Sequence, residues 1–274
     1  MPDLATLAPL VALLLGIGAL AGLIAGMLGV GGGIVLVPAF FYTFSALGYG
    51  GPQLMQICLA TSLSTIIVTS TRSVMSHNRK GAVDWPVLRA WAPGIVTGAV
   101  LGVVVASNLR SIVLQGIFGV LGVCIGLYLA FGKSSWKIAD QMPGGPVRAV
   151  LSTMIGFLSV LMGIGGGSFA VPTMTLYGQP IHRAVATAAG FGVLIAVPSV
   201  LAFFFVQIPV GMRPPYTLGA VNLPAFLIVI SMTLITAPIG ARLAHAMDPK
   251  PLKRIFAGFI IVVALNMLRK VAGF

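Results

Sequence analysis

Apolar runs of about 20 residues recur along the whole chain, and that recurrence settles the class of fold before any single residue is weighed. A helix of that length crosses a bilayer core of about 30 Å. In hydrocarbon the backbone must satisfy its own polar groups, so only helices and closed barrels span. The runs lie at 4–28, 34–47, 54–76, 86–106 and 111–131, then at 147–162, 168–177, 183–207, 221–244 and 252–270. Between the two sets lies a polar stretch, 132–146, with Lys133, Lys137, Asp140 and a Pro143-Gly144-Gly145-Pro146 breaker. Residues 1–28 read as a membrane segment and not as a cleavable signal, for they have no basic n-region and no small-residue cleavage site.

Composition agrees. Charged residues make up 7% of the chain, against about 25% in a soluble domain, too few to cover a water-facing surface. The net charge of +12 would suggest nucleic acid in a soluble protein. Here Lys and Arg sit in short loops between apolar runs, as in cytoplasmic loops of membrane proteins, and no basic face with aromatic platforms accompanies them. Cys58 and Cys124 both fall in apolar runs and offer neither a disulfide framework nor metal-ligand spacing.

Five runs, a linker and five runs predict an internal duplication. Gly29-Val30-Gly31-Gly32-Gly33 precedes Val37-Pro38, and Gly163-Ile164-Gly165-Gly166-Gly167 precedes Val171-Pro172 at the same spacing. Ala60-Thr61 matches Ala186-Thr187, and Leu114, Ile117 and Phe118 match Leu252, Ile255 and Phe256. The expected organisation is a first transmembrane repeat over 1–131, a cytoplasmic linker over 132–146 and a second repeat over 147–274. Suppose each Gly-rich unit is a hairpin with both ends on one side. Each half then crosses three more times, so the halves are inverted. The basic loops at 72–89, 133–148, 183 and 242–254 then share the inner side, and only Arg110, Arg213, Arg269 and Lys270 of the 16 Lys and Arg lie outside. Parallel halves would place 10 of these residues inside against 6 outside, a weaker fit to the positive-inside rule.

Consecutive glycines inside an apolar run break a helix, at about 1 kcal/mol each relative to Ala. Non-helical backbone at membrane depth is tolerated where it is buried in protein or lines a cavity. The helices resuming at Ile34 and Ser168 would each point an N-terminus into the membrane, and a helix N-terminus suits an anion. Two Gly-broken half-helices, one from each half, are expected to meet near the midplane, the layout of inverted-repeat transporters. The plainer alternative is close helix packing, which Gly94-x-x-x-Gly98-x-x-x-Gly102 is expected to serve.

These paired Gly-x-Gly-Gly-Gly-x-x-x-Val-Pro units, the Ala-Thr after each and the five-plus-five layout resemble the TauE/SafE sulfite exporter family over nearly the whole chain. The resemblance implies movement of sulfite, sulfoacetate and related organosulfonates, mostly outward. Import of sulfate, thiosulfate or a similar anion is the alternative.

Thr61, Thr65, Thr69 and Arg72 share one helical face, which is expected to face the bundle or a wet cavity, or to supply interhelical hydrogen bonds. The expected substrate ligands are Gly31, Gly32, Gly33, Thr61, Ser62, Gly165, Gly166, Gly167, Ser168 and Thr187. Arg72 either attracts substrate or snorkels to the interface. His77, His182 and His245 lie at segment ends, and Trp85, Trp91 and Trp136 read as interfacial anchors. Asn222 reads as a helix cap. No His or Asp sits mid-segment to act as the base of an intramembrane hydrolase, and a scaffold role leaves two matched glycine breaks unexplained. The expected protein is an all-α polytopic transporter of the cell inner membrane, with no catalytic residue, metal or cofactor. Its partners are a small anionic substrate and the lipid bilayer, not nucleic acid; a homodimer stays open.

Overall fold

In the computed structural model, which describes residues 4–28, 32–132, 136–246 and 249–273, the apolar runs are helices. The first half holds α1 (Leu4–Leu28), α2 (Gly33–Ala46), α3 (Leu54–Arg79), α4 (Trp85–Asn108) and α5 (Ser111–Phe131). The second holds α6 (Gly145–Leu161), α7 (Gly167–Leu176), α8 (Ile181–Phe204), α9 (Leu223–Ala246) and α10 (Pro249–Val271). Among the described residues, α3, α4, α5, α8 and the Leu223–Gly240 part of α9 are long and apolar enough to cross a membrane. The chain is an all-α polytopic membrane protein. Val104, Val120, Leu127, Leu201, Leu227 and Val262 project outward, a pattern that lipid accepts and water does not.

Two helices are too short to span. α2 has 14 residues and α7 has 10, about 21 and 15 Å at 1.5 Å per residue. Both carry the Val-Pro pair inside, and both end at a left-handed glycine. After α7, Gly178 (φ 80°) donates to Thr175 O and Gln179 to Met174 O, the paired bonds that close a helix C-terminus. Gly48 (φ 83°) closes α2 in the same way, through Ser45 O and Phe44 O.

Packing keeps its pattern when the halves are exchanged. α1 runs alongside α9 in the same direction, with Gly18 on Val229 and Met232 and Gly22 on Thr233 and Thr236. Likewise α6 runs alongside α4, with Gly94 on Ser152, Gly98 on Thr153 and Gly102 on Val160. The Gly94/Gly98/Gly102 face is thus a packing surface, as its spacing predicts. α5 and α10 pack antiparallel, Gly119 against Leu268 and Gly126 against Ile261. α3 and α8 form the centre, α3 being largely buried.

The 208–220 loop contains a 3-10 turn at Val210–Met212 and leads into a small antiparallel hairpin, β1 (Thr217–Leu218) with β2 (Val221–Asn222). One expectation fails here. Trp91 is not an interfacial anchor. It is 1% exposed and stacks on Phe191 at 6.3 Å, because α4 packs against α8 along this face. Trp85 and Trp136 are exposed.

Candidate functional site at the helix breaks

The second break forms because Gly163 ends α6. At φ 62° its amide donates to Val160 O and the Ile164 amide to Ser159 O, again the left-handed closure that glycine adopts without a Cβ penalty. The turn leaves the Gly163 carbonyl unused by the helix, and the Ser62 hydroxyl of α3 donates to it at 2.7 Å. The first break approaches from the other side. A Cβ placed on Gly33 would stand 2.7 Å from Gly163 O and 3.0 Å from Ile164 Cα. So the two breaks touch, backbone to backbone, and glycine is what permits it. Ile66, midway along α3, reaches both: its Cδ1 lies 3.0 Å from that Gly33 Cβ and its Cγ2 3.3 Å from one on Gly165.

α7 starts at Gly167, shortly after this contact in the chain. The first amides of a helix have no intrahelical acceptor and carry a partial positive charge. Ser168, the second residue of α7, is 5% exposed, and its Oγ finds no hydrogen-bond partner among the described residues. Pro172 also lacks the N–H that would have bonded the Ser168 carbonyl. Buried polar atoms are satisfied in the great majority of cases, so an orphaned hydroxyl beside free helix-start amides marks a place for a polar guest.

The structure brings Gly33, Ser62 and Gly163 together, with Gly165 on the other side of Ile66, and Gly166, Gly167 and Ser168 follow directly in the chain. Gly31 lies outside the described residues. Gly32 is left-handed (φ 65°) at the start of α2, with Ala21 O 3.2 Å from the position of a Cβ. Gly166 is packed hard: a Cβ there would meet Phe191 Cβ at 2.8 Å and Ala188 O at 2.9 Å.

Thr61 and Thr187 face elsewhere. The Thr61 oxygen accepts the Asn222 amide at 3.0 Å, and the Thr187 oxygen accepts the Asp84 amide at 2.9 Å. Each donating residue caps a helix of the half opposite its threonine: Asp84 Oδ1 accepts from Val87 N at 3.2 Å in α4, and Asn222 Oδ1 accepts from Ala225 N at 3.0 Å in α9. Thr65 and Thr69 donate to carbonyls of their own helix. Arg72 is exposed, about two turns before the end of α3, with no ion-pair partner among the described residues.

One residue absent from the sequence expectations is Ser70. It is 6% exposed, and its Oγ lies 3.9 Å from where a Gly165 Cβ would be and in contact with the corresponding position on Gly192. The signal was there: Ser62, Ile66 and Ser70 recur every four residues, one position off the threonine stripe.

A hollow of about 720 Å³ at the edge of the bundle is lined by apolar residues such as Ile112, Val120, Leu158 and Leu161 and offers an anion nothing. A crevice of about 240 Å³ between α5 and α7 is lined by Cys124, Tyr128, Ser168, Phe169, Thr173 and Leu176, and it reaches the orphaned serine. Among the described residues no group of three or more His, Cys, Asp or Glu is placed to hold a metal.

A chain built this way has matching relatives. A "Probable membrane transporter protein" of Haemophilus influenzae is 33% identical over 264 residues, covering 95% of this chain and 98% of that one. A protein of the same description in Methanocaldococcus jannaschii is 25% identical, covering 94% and 96%. The "Probable membrane transporter protein YunE" of Bacillus subtilis is 24% identical, covering 93% and 96%. No solved structure matches. The sulfite exporter TauE/SafE profile matches residues 14–267, and with ten α-helices among the described residues arranged as above, the chain belongs to the TauE/SafE sulfite exporter family of membrane transporters.

Proposed function

We propose that this transporter exports small oxidised-sulfur anions (sulfite, sulfoacetate or related organosulfonates) across the cell inner membrane, by alternating access of two inverted repeats around the paired breaks. The observation that carries the reading is Ser168: a buried, partnerless hydroxyl at the start of a half-helix whose N-terminus lies inside the bundle. A sulfonate or sulfite oxygen would accept from that hydroxyl and from helix-start amides. The breaks from the two halves touch, which supports one shared site built from Gly32, Gly33, Ser62, Gly165, Gly167 and Ser168, with Ser70 beside it.

The packing supports inversion. The first helix of each half runs alongside the fourth of the other. Two clusters of loops follow from the contacts. At one end, Pro52 O accepts from Ser111 N and Asn222 meets Thr61 beneath the β-hairpin. At the other, Asp84 meets Thr187, and Ile138 N donates to Leu176 O. Arg79, Lys80, Arg183 and His182 belong to this second end, which the positive-inside rule assigns to the cytoplasm. A basic cytoplasmic mouth concentrates anions there, in keeping with export.

The breaks are pressed together with Ile66 against both, so the anion would enter by parting them. Reconstitution in liposomes tests the reading: sulfite and sulfoacetate should leave vesicles faster than sulfate when loaded on the basic-loop side. Flux of sulfate or thiosulfate in the opposite sense would assign import instead. No anion flux in either direction would remove the transport reading.

A further inference from the structure

The two halves differ where each half-helix faces the last helix of the other half. The end of α2 is fastened to α10: Asn266 Nδ2 donates to Tyr42 Oη at 2.9 Å, and Lys270 Nζ stands 4.6 Å from the Tyr42 ring centroid and 5.3 Å from that of Phe41. The repeat carries Tyr42 onto Leu176, by the offset that maps Val37-Pro38 onto Val171-Pro172. It carries Asn266 onto Tyr128, by the offset that maps Phe256 onto Phe118. Leu176 and Tyr128 line the crevice between α7 and α5. Equivalent positions are joined in one half and stand along an open crevice in the other.

Resting on the transport reading above, we infer that Tyr42, Asn266 and Lys270 are a gate, that the α5–α7 crevice is the same contact in its parted form, and that transport exchanges the two. The fastening is suited to this. It consists of one neutral hydrogen bond and cation–π contacts reaching from the exposed Asn266 and Lys270 of α10, each weak enough to break in a working cycle. The crevice leads to Ser168, so the parted half is the one that reaches the proposed site. Sequence keeps the halves from being interchangeable: the position of Lys270 is Gly132 in the other half and that of Tyr42 is a leucine, while the aromatic hydroxyl moves to Tyr128 on the facing helix. Closure there would therefore use the Tyr128 ring against Leu176.

Two cysteine pairs test the inference, in a background with Cys58→Ala and Cys124→Ser. One is Tyr42→Cys with Asn266→Cys; the other is Tyr128→Cys with Leu176→Cys. A bifunctional methanethiosulfonate is applied to the full chain in liposomes, and bridging is read by mass. The first pair should bridge in substrate-free protein, and the bridge should take the flux of sulfoacetate, which unlike sulfite does not cleave disulfides, to background until a reducing agent restores it. The second pair should bridge poorly at first, and better when Tyr42→Ala and Asn266→Ala are added to release the other side. A bridging yield at 128 and 176 that ignores the state of 42 and 266 overturns the gate, as does full flux with 42 and 266 bridged. Coupled bridging in a protein that moves no sulfite or sulfoacetate even unbridged would keep the gate and remove the substrate reading.

Discussion

The Thr61 hydroxyl oxygen accepts the backbone amide of Asn222 at 3.0 Å, across 161 residues of chain. The repeat equivalent, Thr187 with the amide of Asp84 at 2.9 Å, makes the same bond with the halves exchanged. Each threonine thus holds the start of a long helix from the opposite repeat. Thr61→Val and Thr187→Val would leave a buried amide without a partner, at about 1–3 kcal/mol. Each should lower the melting temperature of the purified protein, with Thr→Ser retaining the wild-type value. Anion affinity per folded molecule should move less than stability does. A Thr61→Val protein that melts like wild type but loses its anion would instead make the hydroxyl a ligand.

Asp84 and Asn222 occupy equivalent places and do the same work with different chemistry. Each accepts from an amide three residues on, Val87 N and Ala225 N, as helix N-caps do. Asp84 is also 4.0 Å from the Arg183 guanidinium, a loose pair worth little at that exposure. Asp84→Asn should therefore keep both fold and flux, since the other repeat already uses asparagine. Asp84→Ala should destabilise by about 1 kcal/mol. Flux driven by an imposed proton gradient, compared between wild type and Asp84→Asn, checks the corollary that this carboxylate is no proton relay. Asp3 and Asp248 lie outside the described residues, and Asp140 is exposed in the linker beside Lys137.

The helices were legible because hydrophobic run length and glycine punctuation are local signals. α6 begins at Gly145 and α7 at Gly167, close to where the runs put them. The contact between the breaks follows from the duplication together with the glycine punctuation of each half. What stayed hidden depends on which face of a helix meets which neighbour. The hydroxyl-rich α3 presents two adjacent stripes. The threonine stripe looks more polar, yet Thr65 and Thr69 spend their hydroxyls on Ser62 O and Thr65 O. The stripe toward the breaks is Ser62, Ile66 and Ser70, diluted by an isoleucine. A similar step separates Trp91 from its expected interface: nothing local says that α8 will lie against it.

Labelling from each side checks the topology. Single cysteines in the 208–220 loop and in the 77–84 or 136–144 stretches should react with an impermeant thiol reagent from opposite faces. The motivation is the two loop clusters: Met212 sits by Gly51 at the hairpin end, and Asp140 sits by Gly178 at the other. The 77–84 and 136–144 cysteines should label from the cytoplasmic face, where the basic residues gather. Labelling of 208–220 and 77–84 from one face would be incompatible with this packing.

Glycine substitutions separate packing from binding only at chosen positions. Gly166→Leu would drive a side chain into Phe191 and the Ala188 carbonyl, and Gly33→Ala would drive one into Gly163 O. Both should reduce the yield of folded protein, so neither reports cleanly on an anion. Gly98→Ala meets the Thr153 carbonyl of α6 and should act on stability alone. Gly165 is roomier, with Ile66 Cγ2 at 3.3 Å and Ser70 Oγ at 3.9 Å from a new Cβ. Gly165→Ala should fold and weaken anion binding, read by calorimetry on monodisperse protein.

Ser168→Ala gives the sharpest separation, because stability and affinity should move in opposite directions. The Ser168 hydroxyl is buried with no partner among the described residues. Removing an unsatisfied buried polar atom takes away a desolvation cost of about 1–3 kcal/mol, and the volume change is one oxygen. The melting temperature without ligand should hold or rise. With an anion bound, the same hydroxyl donates to a charged oxygen, a bond worth about 1.5–3 kcal/mol. Its loss should raise the Kd for sulfite about tenfold or more, at 1.4 kcal/mol per decade. Ligand-induced stabilisation should shrink accordingly. Ser168→Cys, with a weaker donor in the same place, should fall between the two. Thermal shift with and without sulfite measures both quantities in one experiment. A raised melting temperature with unchanged Kd would leave the serine a packing defect and move the anion away from the start of α7.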